Sequence, residues 1–283
     1  MAHSHSTFLS ALWAACVLAA SQNASFGAEE SIRIVFQNGR SIPISSLALL
    51  GDKLMVLTEF ETFRKDQAIP FTMADHVYGV KPVAVNQATA QLLMGKPKDA
   101  QKLLEPIITE HRITAKIPGN FWLEAARAML VAYAVSGDAK ECADLGKEIS
   151  DATPVQGIDP FVSLGKALLM PVTVKVDERE AALRDLTTDN LPADVCAYAS
   201  FFRGNLFKKG KRSPEALDAY LDVPCRFPSG GLVLTAAAEL QAADCLTALG
   251  RRDEAATLLH SAVRSAVGTL LVAEANKRLE SLK

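Results

Sequence analysis

Residues 204–228 read GNLFKKGKRSPEALDAYLDVPCRFP, and their order of small, aromatic and proline positions restricts the fold more than any other stretch of the chain. Gly204, Phe207, Ala216, Tyr220 and Pro228 follow one another at intervals of 3, 9, 4 and 8 residues. Two antiparallel helices fit that rhythm. A small residue on the first and Ala216 on the second allow close approach, while Phe207 and Tyr220 fill the space around the contact. Pro228 then ends the second helix.

The same turn recurs along the C-terminal two hundred residues. Gly95 closes a helical stretch from Val83 to Met94, and Lys98 to Thr109 carries the stripe Ala100, Leu103, Leu104 and Ile107. In the next unit Tyr133, Gly137, Cys142 and Pro154 take the aromatic, turn, small and terminating positions. An irregular pair is expected over Ile158 to Asp189, with Gly165 at the small position. Gly250 and Ala255 repeat the turn, with Asp253 and Glu254 suited to the positive end of the following helix. Five helical hairpins and a closing helix from Thr269 to Leu282 complete the count, and the closing helix covers the last apolar face.

This pattern resembles the tetratricopeptide repeat family, in a divergent form: Ser200 and Arg203 stand where the family has tryptophan and leucine. Residues Pro214 to Leu282 also resemble repeat proteins of bacterial envelopes, such as outer-membrane assembly lipoproteins and the Tol-Pal coordinator, but lack their tyrosine-proline before the final helix. The resemblance implies a mainly α, right-handed superhelix that binds rather than catalyses. Its inner groove would be lined by the first helix of each hairpin. On that basis the partner-binding candidates are Glu124, Arg127, Tyr198, Phe201, Asn205, Lys208 and Asp244. They would grip an extended peptide or helix of another envelope or secreted protein, with Phe201 equally readable as core. Val85 stands where a carboxylate-clamp lysine would be, so a chaperone-tail receptor is disfavoured.

Residues 29–82 have a different character. IRIVF, SIPI, LALL, LMVLT, AIPF and HVYGV are short apolar runs separated by turn signals, Asn38-Gly39 and Gly51-Asp52 among them. A small SH3-like or Sm-like β module packing on the first helices is expected. Residues 1–28 have the order of a secretory signal peptide, with an apolar run of 13 residues from Phe8 to Ala20 and cleavage after Gly27 preferred. Lipidation at Cys16 is the alternative. The periplasm is the expected compartment.

Cys142, Cys196, Cys225 and Cys245 remain beyond that segment, enough for two disulfides in an exported protein. Cys142 and Cys245, however, fall where repeats hold small buried residues. No CxxC pair offers zinc or thioredoxin-like chemistry. A formal charge of -2 provides no global field for nucleic acid or an anionic membrane. Lys208, Lys209, Lys211 and Arg212 form the sharpest basic run and read as a solvated turn.

Catalysis finds little support. His76, His111 and His260 lie in three separate units, and no GxSxG, HExxH, P-loop or GxGxxG motif is present. Asp75-His76 is the one adjacent acid-imidazole pair, but strand neighbours point to opposite faces, so the two are not expected to meet. Ser229-Gly230-Gly231 reads as an inter-repeat turn rather than a phosphate cradle. No catalytic residue, cofactor or metal is assigned. The sequence leaves two functions, a protein-binding adaptor or a structural component of an envelope assembly held through its β module.

Overall fold

The computed structural model describes residues 31–153 and 158–282. The expected signal peptide lies outside them. Six strands come first: β1 (Arg33–Phe36), β2 (Ser41–Pro43), β3 (Leu47–Leu50), β4 (Lys53–Val56), β5 (Ala68–Pro70) and β6 (Ala74–Tyr78). They form two three-stranded antiparallel sheets, ordered β2-β1-β6 and β3-β4-β5. The sheets are not hydrogen-bonded into one closed barrel. They share a core instead, with Ile34, Phe36 and Ile42 from one meeting Leu54, Val56 and Ile69 from the other. Ile113 and Ile117, from the connection after the second helix, complete that core. The β module is therefore completed by a helical-region loop, as a sheet of this size requires.

Eleven helices follow among the described residues. They are α1 (Val83–Leu93), α2 (Pro97–His111), α3 (Trp122–Ser136), α4 (Ala139–Ala152), α5 (Pro160–Leu168), α6 (Val176–Arg184), α7 (Ala193–Lys209), α8 (Ser213–Arg226), α9 (Leu232–Ala248), α10 (Arg252–Ser265) and α11 (Leu270–Leu282). Each packs on its successor in sequence, giving five consecutive pairs and a final helix. The two members of a pair differ in character. On α3 and α9 buried residues occur on most faces, alanine foremost, whereas α10 buries the single stripe Ala255, Leu259 and Ala262. An all-round apolar helix is stable only inside a layer of others. The helices α1, α3, α5, α7 and α9, which contact one another in that order, form the inner layer.

The contacts of α1 depart from an open superhelical groove. Besides α2 and α3, α1 packs against α9 and α11, and the chain of contacts α1, α3, α5, α7, α9 returns to its start. Small side chains permit this: Ala88 and Ala90 on α1, and Ala236, Ala237 and Ala243 on α9, are essentially without exposure. Side chains this small let helix axes approach closely. The inner helices thus enclose a space instead of presenting a trough.

Candidate functional site

Five inner helices begin around one cavity of about 500 Å³. Its wall takes Asn86 and Thr89 from α1, Glu124 and Arg127 from α3, Phe161 from α5, Asp194 and Tyr198 from α7, and Leu232, Val233 and Leu234 from α9. Lys81 and Asn120 stand beside them. Three sequence candidates, Glu124, Arg127 and Tyr198, therefore converge here.

Arg127 is the best-anchored of these groups. Its Nη2 donates to Asp159 Oδ2 at 2.7 Å, and its Nη1 lies 3.8 Å from Asp194 Oδ2. The guanidinium carbon is 5.0 Å from the centre of the Phe161 ring. Asp159 is fully buried as a side chain, and its other oxygen accepts the Phe161 backbone N–H at 2.9 Å, capping α5. One carboxylate thus fixes both a helix start and an arginine. Arg127 keeps donors toward the cavity, since its contact with Asp194 is longer than a hydrogen bond.

Glu124 accepts from Lys81 Nζ at 2.9 Å across the rim. Tyr198 meets Phe161 edge-on at 5.7 Å between ring centres, which makes an aromatic wall. Burial pushes its phenol well above the usual tyrosine range, and a hydrogen bond with Thr89 pulls only partly the other way. The hydroxyl therefore stays protonated. The remaining rim is Pro228–Gly230, a single 3-10 turn before α9. A side chain at Gly230 would meet the Ala193 carbonyl oxygen at 2.9 Å, so the turn is pressed onto the start of α7. Gly231, at φ 120 and ψ 141, occupies backbone space that favours glycine. The Ser229-Gly230-Gly231 segment connects α8 to α9, and it also walls the cavity.

The other candidates lie elsewhere. Lys208 and Asp244 sit near the opposite ends of α7 and α9, 2.7 Å apart, with Lys208 also donating to Gln241 and Arg278 donating to Asp244 at 2.8 Å. They neutralise one another. Asn205 accepts from the Tyr220 hydroxyl at 2.7 Å. Phe201 is fully buried against Phe202 and Tyr220, so as a groove residue it is corrected to core. Within the basic run, Arg212 is engaged by Glu215 and lies 4.7 Å over the Phe207 ring.

Asp75 and His76 also call for correction, because His76 Nδ1 lies 2.8 Å from Asp75 Oδ2. The reason is a bulge: Val35 pairs with His76 while Phe36 pairs with Ala74, leaving Asp75 as an extra residue on β6. A bulge breaks the alternation of faces. The pair is exposed on the β module.

All four described cysteines are free thiols, with Cys142, Cys196 and Cys245 buried and Cys225 exposed. Burial raises the pKa of the three buried thiols, for Cys196 with help from Asp194. They are poor nucleophiles in that state. Among the described residues no group of three His, Cys, Asp or Glu side chains is placed to hold a metal ion, and no helix is long and apolar enough to cross a membrane.

Lys81, Asp159, Phe161, Asp194 and the start of α9 are site residues that sequence reasoning missed. Asp159-Pro160 carried a usable signal, an N-cap residue before a first-turn proline. Comparison of the chain with family models, curated proteins and solved structures yields no match.

Proposed function

We propose that the chain is an exported, non-catalytic scaffold or adaptor, a divergent tetratricopeptide-like stack of helical hairpins that holds a short segment of another envelope or secreted protein. The observation that carries this reading is the convergence of Glu124, Arg127 and Tyr198, from two different helices, on one cavity. At about 500 Å³ the cavity falls within the range of roughly 300–1,000 Å³ usual for compact ligands, so a chain end or a few side chains fit it better than a long helix. Arg127, Lys81, Glu124 and Asp194 supply both donors and acceptors, as a peptide backbone with mixed side chains requires. Anchoring of Arg127 by Asp159 and packing of the rim on α7 limit the entropy lost on binding. Export rests on the composition of residues 1–28.

Selection from a displayed random-peptide library tests the proposal. Enriched peptides should bind the wild-type protein and lose about tenfold or more in affinity to Glu124→Lys and to Arg127→Ala, the loss of one charge-assisted hydrogen bond. Peptides that bind both variants as well as wild type would place the site elsewhere and overturn it.

A second reading, a structural component held through the β module, has its own observation. Leu49 and Leu50 on β3, with Leu57 and Met73 beyond β4 and β5, are 49%, 60%, 48% and 42% exposed. Loss of co-purification with the envelope in Leu50→Glu, with peptide binding retained, would favour this reading over the first.

A further inference from the structure

A second hollow of about 290 Å³ lies between the far ends of α3, α5 and α7 and the side of α6. Val135, Leu168, Leu183, Phe202 and Leu206 make it apolar. Its polar lining is of one kind only. Arg179, Lys209 and Asn205 border it, and no carboxylate does. Several cations of the helical region are engaged: Arg203 and Arg184 hold Glu180, Lys208 and Arg278 hold Asp244, and Arg226 faces Asp222 and Asp189. Arg179 and Lys209, by contrast, have no ion pair or side-chain hydrogen bond among the described residues. Asn205 adds a third donor, because its carbonyl oxygen is taken by the Tyr220 hydroxyl at 2.7 Å and its amide NH₂ is left over.

We propose that this hollow is a binding site for a small aliphatic carboxylate, with the alkyl chain against Leu168, Phe202 and Leu206 and the carboxylate among Arg179, Lys209 and Asn205. An apolar wall alone would accept any alkyl chain. Three donors without an acidic neighbour select an anionic head over a neutral or cationic one, and a planar guanidinium matches a carboxylate in two parallel hydrogen bonds. Lys209 also closes α7, where positive charge is favourable in any case, whereas Arg179 stands in the first turn of α6. The test must therefore separate ligand binding from helix stabilisation. The site is distinct from the cavity at the other ends of these helices and does not depend on the adaptor proposal.

Octanoate, octanol and octylammonium serve as probes, titrated into the isotope-labelled chain and followed by amide resonances. Octanoate should give saturable shifts at Phe202, Asn205 and Leu206, and bind about tenfold or more tightly than octylammonium. Arg179→Glu and Lys209→Glu should each weaken octanoate about tenfold and narrow its advantage over octanol, at unchanged dispersion of the spectrum. Equal binding of octanoate and octylammonium, shifts confined to residues lining the larger cavity, or variants that lose thermal stability but bind octanoate as wild type does would overturn the proposal.

Discussion

A methyl group placed on Gly204 would come within 2.5 Å of Tyr220 Cδ1, so the tyrosine ring of α8 lies directly on the backbone of α7. Tyr220 is itself fully buried and donates its hydroxyl to Asn205. Gly204→Ala is expected to cost about 1–3 kcal/mol, the usual penalty for overpacking a filled core. Denaturant unfolding measures it. The variant Tyr220→Leu in the same background should recover part of the loss, because a smaller side chain relieves the collision.

Asp159 should behave as a keystone of the larger cavity. Removing it in Asp159→Ala leaves Arg127 without its closest partner and α5 without its cap, a loss of about 3 kcal/mol by analogy with broken buried pairs. Asp159→Asn keeps an oxygen for the Phe161 amide and should lose less. Equal destabilisation by the two variants, measured by denaturant unfolding, would show that the cap contributes nothing.

His111 gives stability a pH dependence of known sign. Its ring is buried at the end of α2, edge-on to Phe121, with Nδ1 lacking a partner. Burial holds its pKa below the ordinary 6.5, and nearby Glu110 offsets only part of that. The unfolded chain therefore takes up the proton first. Stability from this group is complete above pH 6.5 and is lost as pH falls toward the depressed folded value. The variant His111→Phe should flatten the unfolding free energy over that interval, as measured by urea titration at several pH values.

Glu239 acts in the opposite direction. Ser261 donates to its Oε1 at 2.7 Å, but Oε2 is buried without a partner, and burial raises the carboxyl above 4.5. The folded chain then binds this proton more tightly than the unfolded one, so stability falls as pH rises from 4.5 through the folded value. Glu239→Gln should be more stable than wild type at neutral pH, with the difference vanishing in acid. A destabilised Glu239→Gln at neutral pH would mean the carboxylate holds a needed charge contact, Arg264 being a cation that acts on it.

The sequence made most elements legible. Asn38-Gly39 set the register of β1 and β2, and the glycine turns at 95, 137, 210 and 250 marked where helices pair. Closure of the inner helices was not legible, because an alanine face such as that of α9 looks the same whether it meets the next helix or the first. The Asp75–His76 contact escaped for a related reason: a one-residue bulge is set by pairing with β1, not by β6 itself. In the site, Glu124, Arg127 and Tyr198 are reached only through the groove positions that the resemblance to tetratricopeptide repeats implies. Phe201, three residues beyond Tyr198, could not be told from it without knowing that Phe202 and Tyr220 enclose it.

The most direct test of a ligand-holding cavity is photocrosslinking in living cells with p-benzoylphenylalanine placed at Asn86, on the cavity wall, or at Lys140, exposed on α4. A ligand-holding cavity should yield a discrete protein adduct from position 86 that disappears in the Arg127→Ala background, and none from position 140. An adduct from position 140 alone, or no adduct from position 86, would contradict it.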